Sequence, residues 1–167
     1  MAGKISVLES EKVTYDGVFD LGELYKHSHQ WLTWRKFDVS EKKYKEKMKP
    51  TGKEIEIDWI AKREIDEYSS WEYDIKWKLR DINDVEVQKD SVKVKMQKGE
   101  VNLDISAYIV TDRQDFWTSK VQFAFMKAFY EKYLYKGNID RMKKELWKMG
   151  WDFYNEIKAF LHLYKYG

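Results

Sequence analysis

The chain contains no cysteine. Disulfides, thiolate zinc sites and cysteine nucleophiles are therefore excluded. A single proline, Pro50, and 8 glycines in 167 residues leave little room for disordered linkers. Neither sign of charge dominates: 31 basic and 29 acidic residues give a net charge of +2. A dedicated nucleic-acid binder shows a basic excess or stripe, so nucleic acid is not an expected partner. Long hydrophobic runs are also missing. The most apolar stretch, FWTSKVQFAFMKAFYEKYLY at 116–135, carries Lys120, Lys127, Glu131 and Lys132. A membrane span needs about 20 mostly apolar residues, so no transmembrane segment is expected. The opening MAGKISVLES has no apolar core of the kind a signal peptide needs. A cytoplasmic protein is the expectation. The phosphate-binding patterns GxGxxG and GxxxxGK are absent, as is a GxSxG nucleophile turn.

What is present is 43% hydrophobic and 36% charged, a mixture that suits one globular domain over 1–167. Residues 12–19, KVTYDGVF, read as a first strand. Asp20 is placed to cap a helix over 20–36, with Glu23 in capping-box position and Phe19 and Leu24 at the spacing of a hydrophobic staple. The lysine-rich stretch 38–53 follows. There Ser40 is a cap candidate for a short second helix carrying Tyr44 and Met48, ended by Pro50 and Gly52.

From 54 to 110 the hydrophobic period changes to two. In WEYDIKWKL, residues 71–79, Trp71, Tyr73, Ile75, Trp77 and Leu79 alternate with Glu72, Asp74, Lys76 and Lys78. Ile55, Ile57 and Trp59 open this block, and Val85 and Val87 continue it. A turn at Lys89-Asp90 leads to Val92, Val94 and Met96, and a further turn at Lys98-Gly99 leads to Val101, Leu103 and Ile105. Such alternation predicts half-buried antiparallel strands joined as a meander. Residues 116–135 fit two patterns. Trp117, Val121, Phe123 and Phe125 alternate as a last strand through about residue 127, whereas Val121, Ala124, Phe125, Ala128 and Phe129 suit a helix; the strand is the preferred reading. Asn138 is placed to cap a long final helix with the seam Ile139, Met142, Leu146, Met149, Phe153, Ile157, Phe160 and Tyr164.

The expected class is α+β: a curved antiparallel sheet of about 6–7 strands around a long C-terminal helix, with one or two short helices after the first strand. In element order the opening VTYDGVFDLGELYKHSHQWLTW, the alternating block 54–110 and the helix 138–164 resemble the helix-grip fold of the START/polyketide-cyclase-like (SRPBCC) superfamily. The resemblance covers nearly the whole chain and implies an apolar, lipid-like ligand held between sheet and helix.

The residues facing that space are Trp59, Tyr73, Trp77, Ile105, Phe123 and Phe125 of the sheet and Met149 and Phe153 of the helix. Large aromatics of this kind either line a pocket or fill a core. Burial alone is worth about 1.5–3 kcal/mol for each. Arg63 falls in the same inward phase and needs an anionic partner or ligand there, unless a bulge turns it outward, which is the preferred account. His27 and His29 point to different sides of their helix and His162 lies among lysines, so neither a metal site nor a cofactor is expected. Glu54, Glu56, Asp58, Glu72, Asp74 and Asp104 occupy the opposite face, set to pair with Lys76, Lys78, Arg80, Lys93 and Lys95.

No residue set demands catalysis. The leading expectation is a carrier or sensor of a hydrophobic or amphipathic small molecule. The alternative is a protein-interaction module with a filled aromatic core, a weak basic patch at Lys42–Lys53 and exposed Trp34, Trp147 and Trp151.

Overall fold

The alternation at 54–110 produces long strands. The computed structural model describes residues 3–111, 132 and 136–166. Among these, β1 (Gly3–Phe19), α1 (Leu21–Trp34), β2 (Asp38–Lys49), β3 (Gly52–Glu64), β4 (Ser69–Lys89), β5 (Val92–Thr111) and α2 (Lys136–Tyr166) follow one another. The class is α+β: an open, five-stranded antiparallel sheet in the order β1-β5-β4-β3-β2, with a long C-terminal helix. No helix among the described residues is long and apolar enough to cross a membrane. The expected last strand at 116–127 lies outside the described residues.

The start of α1 is as the sequence predicts. The Asp20 side chain accepts a hydrogen bond from the Glu23 backbone N–H at 3.1 Å, and Phe19 and Leu24 are both buried. Asn138, in contrast, is not the cap of α2, because the helix already includes Lys136.

Three expectations about strands are corrected. Residues 38–49 form no second helix but the edge strand β2. Tyr44 and Met48, four apart, share a face in a strand as well as in a helix. β5 is one continuous strand where a turn at Lys98-Gly99 was expected to divide it, and with 116–127 outside the described residues the described strands number five against the expected 6–7 or so. Lys98-Gly99 is not a turn. The β4–β5 register runs from Arg80↔Glu100 to Asn83↔Lys98, with one extra residue in β4, and Asp81 takes a φ of 55°. This bulge breaks the alternation just as a turn does. Gly99 lies opposite it, where a methyl group would come within 2.8 Å of the Arg80 and Asp81 carbonyl oxygens.

The two faces of the sheet divide by charge. The inner face carries Ile55, Ile57, Trp59 and Ala61 from β3, Tyr73, Ile75, Trp77 and Leu79 from β4, and Val101, Leu103, Ile105 and Ala107 from β5, all buried. On the outer face, Lys12, Asp104, Lys76, Asp58 and Lys43 are register partners in turn across β1, β5, β4, β3 and β2. The next row in register is Thr14, Asn102, Lys78, Glu56 and Lys45. Opposite charges on neighbouring strands stabilise this register. At the β2 edge, Lys43 reaches Glu56 at 2.7 Å and Lys49 reaches Glu54 at 2.9 Å. The lysine run is therefore a solvated strand face whose outward side is braced by the carboxylates of β3.

Helix α2 packs on β1 and β5 through Met142, Leu146, Phe153, Ile157 and Leu161, all buried. Substituting Gly99→Ala should destabilise the protein by about 1–3 kcal/mol, since backbone rather than a mobile side chain must give way. Urea unfolding should show a lower midpoint with an unchanged slope.

Candidate functional site

The expected site residues fall into two groups within the apolar interior. Trp59 and Trp77, on neighbouring strands, meet edge to face with centroids 5.8 Å apart. Helix α1 adds Tyr25 and His29, whose rings stand 5.2 Å and 5.7 Å from Trp59. One oxygen of Glu41 joins the group from β2, where it is the cross-strand partner of Trp59. It accepts from the Trp59 indole N–H at 3.2 Å and from the Tyr25 hydroxyl at 2.9 Å. Burial and the bond to Glu41 both push the Tyr25 phenol above its usual range.

Beside this cluster, Leu21, Leu24, Tyr25, Ile57, Trp77 and Leu79 line a narrow apolar cleft between α1 and the sheet. Its free volume is about 10 Å³, close to that of one water. The indole N–H of Trp77 is buried and has no hydrogen-bond partner among the described residues. Nearby on the rim, Tyr44 and Met48 of β2 are 52% and 77% exposed.

The second group lies under α2. Tyr73 is fully buried, donates to the Leu146 carbonyl at 3.0 Å and packs on Phe37 at 5.1 Å. Desolvation pushes its phenol far above the ordinary range, so it is a neutral donor. Phe153 lies against Trp31 of α1 at 5.0 Å, Ile105 is buried in the same core, and Met149 is partly buried against it. Phe123 and Phe125 lie outside the described residues.

The bulge expected to turn Arg63 outward is not there: register is unbroken from Ile55 to Glu64. Arg63 keeps the inward phase at the rim of the sheet, partly exposed, with its guanidinium 5.3 Å from the Trp71 ring centre. It donates to the Arg35 carbonyl at 3.4 Å, at the C-terminal end of α1. There a cation complements the negative end of the helix.

The histidines are structural contacts. His27 stacks on Phe160 at 5.0 Å, and its Nε2 is 2.9 Å from a Glu156 oxygen, tying α1 to α2. Among the described residues no group of His, Asp and Glu is arranged to hold a metal ion. Trp34 is exposed as expected, but Trp151 is packed against the core with its indole nitrogen buried.

On the outer face, Glu72 is buried and paired with Lys4 at 2.9 Å. Asp74, two residues on, lies between Ile60 and Ser106 and has one buried oxygen without a partner. Burial, then the like charge of Glu72, raises its carboxyl above the usual range. Glu41 and the Trp77 cleft are the features that sequence reasoning missed or left unplaced. The one available signal for Glu41 was its odd-numbered phase with Val39, which has meaning only once residues 38–49 are a strand.

Comparison of the chain with protein-family models, with curated proteins and with solved structures gives no match.

The raised carboxyl of Asp74 sets a sign. Folding favours its protonated form, so the native state loses stability as pH rises from about 4 through the folded value. Asp74→Asn should therefore raise the thermal midpoint at pH 7, with the gain shrinking below about pH 4. Thermal scans of both proteins across that range measure the difference.

Proposed function

We propose that the chain binds a hydrophobic or amphipathic small molecule in the interior between the sheet and its helices, as a carrier or sensor. The observation that carries this reading is Trp77. Its ring is buried, its N–H has no partner among the described residues, and, unlike the equally unpartnered indoles of Trp71 and Trp151, it lines the apolar cleft between α1 and the sheet. A buried donor left unpaired costs about 1–3 kcal/mol. A ligand supplying an acceptor at that nitrogen recovers this cost while its apolar part contacts Leu24, Ile57 and Leu79. The cleft as it stands holds about one water, so entry requires Leu21, which reaches the surface, to turn aside and widen it.

The strand order supports the same reading. A helix between the first two strands, an antiparallel sheet and a long C-terminal helix packed on β1 and β5 are consistent with the plan that the helix-grip resemblance implies, with fewer and longer strands among the described residues.

A second reading has its own observation. Trp147 of α2 is 52% exposed, and Lys143, Lys144 and Lys148 share with it a groove of about 480 Å³ against Ser6 and Val7 of β1. An exposed tryptophan ringed by lysines suits contact with an acidic partner protein. Trp147→Ala should abolish such an interaction and leave small-molecule binding unchanged.

Native mass spectrometry of freshly purified protein should show co-purifying mass. Trp77→Phe keeps a ring in place and removes the N–H. It should weaken binding of decanol, whose oxygen can accept from that N–H, about tenfold without lowering the thermal midpoint. A wild-type protein that carries no added mass and binds neither decyl-chain probes nor anilinonaphthalene sulfonate overturns the proposal.

A further inference from the structure

The mouth of the Trp77 cleft has a chemistry of its own. Glu41 stands there on β2 with Tyr25 and His29 of α1, Trp59 of β3 and, on the open side, Tyr44, the cross-strand partner of the cleft residue Ile57. Tyr25 and His29 lie nearly parallel, 6.3 Å apart and 13° between planes, and each meets the Trp59 ring edge to face. Tyr25 and Tyr44 are 36% and 52% exposed, so both phenol rings are accessible from solvent.

The carboxylate is not neutralised by the protein. Both bonds to Glu41, from Tyr25 and Trp59, are neutral donors and use the same oxygen, Oε1. Among the described residues Oε2 has no hydrogen-bond partner, and no lysine or arginine forms an ion pair with Glu41. The neighbouring Lys43 is committed to Glu56 at 2.7 Å, and Lys53 to Glu46 at 3.2 Å. A carboxylate is thus held in fixed orientation by two aromatic donors, with one oxygen left over, among electron-rich rings.

We infer that the ligand of this cleft carries a cationic head group, a quaternary or protonated amine, received by Glu41 with Tyr25 and Tyr44, while its apolar part runs past Ile57 into the cleft. The inference rests on the small-molecule reading and names the ligand's charge. A cation placed within about 6 Å of an aromatic ring centre is attracted by the negative face of the ring. Tryptophan, tyrosine and a carboxylate together select positive over neutral head groups, because a neutral head leaves the carboxylate without a counter-charge. An anionic head is repelled by Glu41. This order of preference, positive over neutral over negative, runs opposite to what a net charge of +2 gives by itself.

Isothermal titration calorimetry with three probes of equal chain length, all below their micelle-forming concentrations, tests the inference. The probes are decyltrimethylammonium, decyl maltoside and decyl sulfate. The wild type should bind the ammonium probe at least tenfold more tightly than the maltoside, and the sulfate most weakly. Glu41→Gln retains an acceptor for Tyr25 and Trp59 but removes the charge. It should bring the ammonium probe to the affinity of the maltoside and leave the maltoside unchanged. Equal or tighter binding of the maltoside or sulfate by the wild type, or an ammonium preference that survives in Glu41→Gln, overturns the cationic head group and leaves the carrier reading standing. Failure of all three probes to bind overturns the cationic head group, and together with no added mass and no binding of anilinonaphthalene sulfonate it overturns both.

Discussion

The arrangement depends on how closely α2 settles on the sheet. Its seat is Tyr73, near the start of the central strand β4, fully buried with its hydroxyl on the Leu146 carbonyl at 3.0 Å. One turn further along α2, Gly150 presents no side chain where a methyl group would run into Leu8 of β1 and meet the Tyr73 ring. Glycine weakens a helix interior by about 1 kcal/mol relative to alanine. Here its missing side chain lets the helix backbone lie against two strands at once. From that seat Phe153 reaches Trp31, and the position of α1 follows from the position of α2. His27 and Glu156 repeat the link nearer the surface.

With α1 fixed in this way, the interior has two unlike halves. Under α2 the polar groups of the expected site are satisfied, and Tyr73, Ile105 and Phe153 fill the space with their own side chains. Under α1 the packing is less complete, with the unpaired indole of Trp77, the narrow cleft beside it and the half-used carboxylate of Glu41. Among the described residues, unpartnered buried indoles occur in both halves, at Trp71 and Trp151 as well as Trp77; what sets the α1 half apart is the cleft beside Trp77 and the half-used carboxylate of Glu41.

The helix α1, its Asp20 cap and the seam of α2 were legible because capping chemistry and the 3.6-residue period are local. The inner face of β3, β4 and β5 was legible because alternation is local too. What was not legible is non-local. The alternation breaks after Leu79, and only the register against β5 shows the cause to be a bulge at residues 80–83 inside one strand. Gly99 reads as a turn residue when its role is to make room for that bulge. Residues 38–49 read as helical because strand β2 lies at the edge, where Tyr44 and Met48 stay exposed and the inner face keeps the charged Glu46. That misreading hid Glu41, since only a strand places it next to Trp59. Arg63 shows the converse: its inward phase was correct, and its position at the rim, next to the end of α1, removes the need for a buried counter-ion.

The lysines of β2 bear on how the molecule behaves in a crowd. Twelve residues of strand edge, Asp38–Lys49, leave one row of backbone groups facing water, an invitation to strand addition by another copy. Two such rims brought side by side would set two strands of net positive charge against each other, with Lys42, Lys43, Lys45, Lys47 and Lys49 outnumbering Asp38, Glu41 and Glu46 on each. The resulting repulsion keeps neighbouring molecules apart in dilute buffer. It fades once the ionic strength brings the screening length to a few ångströms, about 3 Å at 1 M. The same lysines that grip the carboxylates of β3 thus make resistance to edge-to-edge polymerisation a salt-dependent property of the chain.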